Sequence, residues 1–132
     1  ARAREILKEY PLAPDDIEDV YRAIHNHEAF KKEILITTSQ GALISDCLYD
    51  ADKFRWGPDN FTDTIWDMMS YYNPPLSKFM ARYPQGMEGL EKIKTTFRTQ
   101  TGKKYGPRFI DLGLAIGKKL YQVIQTEFSD CL

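Results

Sequence analysis

Apolar residues recur along most of the chain at spacings of three and four, the signature of helices that bury one face. The clearest run lies between about residues 40 and 55, where Leu43, Ile44, Cys47, Leu48, Ala51 and Phe54 share a stripe about 100° wide. That stripe predicts a core helix with a cap at Thr38 or Ser39. Asp50 and Asp52, in its last turn, lie on opposite flanks of the stripe, about 160° apart, and cannot hold one ion together. One of them therefore meets a neighbouring element and the other water or a cap, unless both are simply solvated helix-end acids. Upstream, Ala3, Ile6, Leu7 and Tyr10 mark a helix over residues 1–10 that ends at Pro11 and Pro14. Asp15 or Asp16 can cap the next helix, which runs to about His27 with Ile17, Val20, Tyr21, Ile24 and His27 on one stripe. His25 lies about 160° from that stripe and reads as a surface residue.

Residues 28–38 have no clear period; Ile34-Leu35-Ile36-Thr37-Thr38 has strand propensity but is too short and isolated to propose a sheet. Trp56-Gly57-Pro58-Asp59-Asn60 is a turn by composition, with Asp59 or Asn60 placed to cap a helix from Phe61 to Tyr72. The apolar surface of that helix is broad enough to predict burial on more than one side, or a dimer contact. Asn73-Pro74-Pro75 breaks it, and a short helix follows to about Tyr83. Pro84-Gln85-Gly86 predicts another break, and Met87 to Phe97 another helix. Beyond Gly106-Pro107, which should kink or restart the chain, the residues from Phe109 to Ile124 form a long, strongly apolar C-terminal helix ending near Phe128, with a frayed tail. The fold class is therefore all-α, a single domain over residues 1–132 with no repeat or long linker.

Composition narrows the partners. Lys+Arg number 18 and Asp+Glu 19, so there is no electrostatic footprint for nucleic acid or an anionic membrane. No apolar run approaches the ~20 residues of a membrane span. Cys47 sits on the apolar stripe and Cys131 in the tail, which argues against a disulfide and for a reducing cytoplasm. There is no zinc-type cysteine spacing, no phosphate-cradling glycine loop and no nucleophile elbow.

Three motifs carry a resemblance. Tyr49-Asp50-Ala51-Asp52-Lys53-Phe54 resembles the last motif of the HD-domain metal-dependent phosphohydrolases, a helix ending in Ala-Asp-(Lys/Arg)-hydrophobic. Ala23-Ile24-His25-Asn26-His27 is similar to the Ala-Ile-x-x-His pattern that precedes it, and Thr99-Gln100-Thr101-Gly102-Lys103 to a Thr-x-Thr-Gly-(Lys/Arg) stretch that opens the C-terminal helix in one branch. The resemblance implies an HD-like helical bundle in which Asp52 ligates a divalent metal (Mn, Mg, Fe, Ni or Zn), His27 acts in catalysis and Lys53 binds substrate phosphate. A family member of this kind uses its metal to polarise a phosphoryl group and to make hydroxide available near neutral pH. The substrate implied is a small phosphomonoester or nucleotide-like molecule. The family's upstream His and His-Asp pair are absent here, since the only histidines are His25 and His27. The expectation is the C-terminal portion of an HD domain lacking its N-terminal helices and inactive alone. The other reading is a degenerate, non-catalytic helical interaction or regulatory module, with a homodimer as one outcome.

Overall fold

The computed structural model describes residues 2–132. Six α-helices follow in order: α1 (Arg2–Leu7), α2 (Pro14–Asn26), α3 (Ser39–Phe54), α4 (Ile65–Tyr72), α5 (Leu76–Ile93) and α6 (Gln100–Glu127). A π-helical segment, Asn60–Thr64, leads into α4, and a 3₁₀ turn, Ser129–Cys131, closes the tail expected to fray. Among the described residues there is no strand, and the stretch 28–38 is a loop. The predicted first helix ends earlier than expected, at Leu7, and its Ala1 lies outside the described residues. No described helix is long and apolar enough to cross a membrane.

α6 is the axis of the bundle, packing against α3, α5 and the π segment. The core gathers there: Phe61, Ile65, Leu90, Phe97, Ile110 and Leu114 form one buried cluster. Tyr83 adds a buried ring whose hydroxyl donates to the Gly117 carbonyl at 2.9 Å. Burial pushes that phenol up to about 12, so it remains a donor through the ordinary pH range. Gly113 lets α6 lie directly on the backbone of Trp56 and Gly57, where any Cβ would collide.

Two expected breaks are absent. α5 runs unbroken through Pro84, and α6 through Gly106-Pro107. In each case buried residues flank the proline on one continuous face: Met80, Tyr83, Leu90 and Ile93 in α5, Gly102, Gly106, Ile110 and Leu114 in α6. Packing along such a face outweighs the one hydrogen bond that each proline removes. Phe97, expected in a helix, is buried from the loop after α5. The break at Asn73 holds: it adopts the left-handed conformation, φ 41°, and its N–H donates to Met69 O at 2.8 Å.

The helix entries also differ in part. Thr38 caps α3 as predicted, but α2 starts at Pro14 with Ala13 at the cap, and Asp15 and Asp16 stand in its first turn. Neither Asp59 nor Asn60 caps the segment that follows; the chain enters it through a π turn. α4 buries one side only, at Ile65, leaving Trp66, Met68, Tyr71 and Tyr72 exposed.

The largest reversal concerns the α2–α3 pair. Most of the apolar stripe of α3 faces outward: Leu43 is 62% exposed, Leu48 37%, and Cys47 and Ala51 are exposed as well, whereas Ile44 is half-buried and Phe54 packs against the core beside Phe97 and Phe109. The buried positions are Gly41, Ser45, Tyr49, Asp50 and Lys53. On α2 the buried positions are Asp19, Ala23 and Asn26, not the predicted stripe through Ile24 and His27. Both cysteines are free and exposed. What permits this is that Asp19, Asn26, Asp50 and Lys53 each find partners. Asp19 accepts the Thr38 hydroxyl, which in turn accepts the Gly41 N–H at 2.9 Å. Asn26 exchanges two hydrogen bonds of 2.8 Å with the backbone of Ile34. α1 is held to α2 by Arg4, which pairs with Glu18 at 2.8 Å and lies over the Tyr21 ring. Hydrogen bonding to Arg4 keeps the Glu18 carboxyl below its usual range.

Candidate functional site

The residues singled out by the motifs meet at the C-terminal ends of α2 and α3. Lys53 is 2% exposed, and its ammonium donates to the His27 carbonyl at 2.7 Å and to the Asp52 carboxylate at 2.6 Å. It also stands 4.5 Å from the centre of the Tyr49 ring. The Lys53 charge is thus spent within the protein rather than presented to a phosphate. What it does is hold Asp52 to the end of α2. Asp52 stays partly exposed and is approached from its other side by Arg55 at 3.7 Å. The ring Nδ1 of His27 lies 2.5 Å from the Ile24 carbonyl, to which it donates, leaving Nε2 without a partner among the described residues. His25 is exposed, as expected.

Asp50, not Asp52, is the acid that meets a neighbouring element. It is 4% exposed and accepts three hydrogen bonds: from the N–H of Arg98 and of Thr99 at 2.8 Å each, and from the Thr99 hydroxyl at 2.6 Å. Thr99 Oγ1 then accepts the Gly102 N–H at 2.9 Å. A carboxylate at the positive end of a helix, with its lone pairs filled, is a structural anchor. Gly102 belongs to it, because a Cβ there would collide with the Asp50 carboxylate. The Thr99-x-Thr101-Gly102 motif is thereby explained as the docking of α6 onto α3. Asp19 stands at the N-terminus of α3 in the same way.

Beside this anchor the Arg98 guanidinium lies 3.7 Å from the Tyr49 ring centre, so Tyr49 is flanked by two cations. Arg98 also pairs with Glu33, lies 3.9 Å from Asp46, and reaches the Asn26 carbonyl at 3.5 Å. Its neighbours Asn26, Glu33, Ser45 and Asp46 line a cleft of about 360 Å³. Arg98 and Tyr49 escape a reading of spacing, because their partners lie on other elements.

As for a metal, the described residues contain no group of three His, Cys, Asp or Glu side chains that could hold one. Asp52 offers a single carboxylate, whereas divalent ions take four or more ligands. These residues do not by themselves make a metal centre. Comparison of the chain with protein-family models, curated proteins and solved structures finds no match.

Proposed function

We propose that this chain supplies the C-terminal helices of an HD-type, divalent-metal-dependent phosphohydrolase acting on a phosphomonoester or nucleotide-like substrate, and that it is inactive without polypeptide carrying the remaining ligands. The observation that carries this reading is the setting of Asp52. It is fixed by buried Lys53 to the end of α2, next to His27, and stands about 40° around α3 from exposed Leu48. An uncovered apolar face running up to a fixed, partly exposed carboxylate is where further helices would pack and bring their own ligands to it. In that assembly Asp52 is a metal ligand, His27 faces the substrate through Nε2, and Lys53 sets the carboxylate's position. No step of hydrolysis is assigned to the residues present.

The same uncovered face supports a second reading, a helical interaction module in which α3 docks on a partner and the Asp52–Lys53 pair is structural. The two separate on Asp52→Asn, made in the protein with its native upstream sequence. Under the first reading bound Mn, Fe or Zn and turnover of p-nitrophenyl phosphate both fall by at least about 100-fold. Under the second, metal content and association state do not change. Full metal content and full turnover in Asp52→Asn would overturn the assignment of Asp52.

A further inference from the structure

A separate cavity of about 350 Å³ opens between the π segment, α4 and α5. Its walls are apolar, with Phe61, Ile65, Phe79 and Leu90 among them, and Phe30 and Trp56 stand in its lining from the loops after α2 and α3. Its size falls in the range of small-molecule sites, roughly 300–1,000 Å³. Three further observations point to an occupant.

The first is Asn60. It is 5% exposed and places an amide side chain in a lining that is otherwise mostly apolar. It opens the π segment, a backbone form that occurs chiefly as short interruptions at functional positions. The second is the pair Gly86 and Gly89 inside α5. Glycine disfavours a helix interior, and a Cβ at either position would meet no atom within 4 Å. The protein's own packing therefore does not require them, yet both line the cavity and keep its wall open. The third is Arg82, which is exposed, also lines the cavity, and has no carboxylate partner among the described residues. Tyr83 is not available, since its hydroxyl is committed to Gly117.

We infer that this cavity binds a small apolar carboxylate: the aliphatic or aromatic body lies against the α4–α5 walls, the carboxylate pairs with Arg82, and the Asn60 amide receives a polar group of the ligand. This inference goes beyond the phosphohydrolase reading and does not rest on it, because its test is binding and involves no metal and no turnover.

The experiment titrates decanoate and, separately, decanol into the 132-residue chain. Binding is followed by Trp56 fluorescence in a Trp66→Phe background and by calorimetry. Saturable one-to-one binding of decanoate is expected. Arg82→Gln should weaken decanoate about tenfold and leave decanol unchanged. Gly86→Leu and Gly89→Leu should weaken both ligands, since leucine fills the wall while favouring the helix. Should a leucine variant lose thermal stability, the alanine variants at the same positions decide instead. They should raise the melting temperature and still weaken binding. Three results would each overturn the assignment: no saturable binding, binding indifferent to the glycine substitutions, or a cavity closed by self-association, seen as concentration-dependent sedimentation that decanoate leaves unchanged.

Discussion

The two halves of the bundle are built on opposite principles. Around α5 and α6 the interior is apolar: Ile110 and Leu114 are fully buried and the ring of Phe61 packs against α6 at Gly117. Around α2 and α3 the interior is a largely polar seam of Asp19, Asn26, Ser45 and Lys53 beside Ala23 and Tyr49, extended by Asp50 to the start of α6, while Leu43 and Leu48 face out. The first half is held mainly by area removed from water, which is tolerant of detail. The second depends on each buried polar group keeping its partner, so it is specific and brittle. The motif residues Asp52, Lys53 and His27 all sit at the end of the brittle half, where geometry is most narrowly set.

The largest effect belongs to the apolar half. Leu114→Ala should lower unfolding free energy by about 3–4 kcal/mol in urea titration, through lost burial and the cavity left behind. A loss below about 1 kcal/mol would mean that the α6 core relaxes around the change, and the contrast with the seam would weaken.

The seam is sharpened by a double-mutant cycle. Asp50→Ala strips the Arg98 and Thr99 N–H groups of their acceptor and should cost about 2–3 kcal/mol. Gly102→Ala alone should also destabilise, because its new methyl meets the Asp50 carboxylate. In the Asp50→Ala background the carboxylate is gone and only a tight contact with the Phe97 ring at 3.0 Å remains, so Gly102→Ala should then cost clearly less than it does alone. Additive losses at the two positions would show that Asp50 does not anchor α6 as described.

The same contrast decides how much was legible in the sequence. The all-helical class, the cap at Thr38, the break at Asn73 and the end of α6 near Phe128 follow from local chemistry, and the structure agrees with them. Proline signals misled at Pro84 and Pro107, because packing on a continuous buried face overrode them. The inversion of α3 was illegible for a different reason. Periodicity equates apolar with buried, but whether a buried Asp is satisfied depends on residues far along the chain. Asp19 finds Thr38, Asp50 finds Thr99, and Lys53 finds His27. Of the candidate site, the order of motifs pointed to His27, Asp52 and Lys53, which do meet. The anchoring role of Asp50 was hidden in Thr99-x-x-Gly102, a cap with a glycine where the Asp50 carboxylate must fit.

The smallest expected effect tests the inversion itself. Were Leu43 and Leu48 core residues, replacing both by serine would cost several kcal/mol, as burial-derived losses of this kind do. In the observed arrangement both are exposed, so the double variant should change unfolding free energy by no more than about 0.5 kcal/mol per site. The chain would, however, lose an apolar patch beside Asp52. In the protein with its native upstream sequence, the same two substitutions should then become costly if helices cover that face, and stay nearly neutral if none do. A large loss already in the 132-residue chain would mean that the face is buried after all, and that the comparison between a polar seam and an apolar core is drawn in the wrong place.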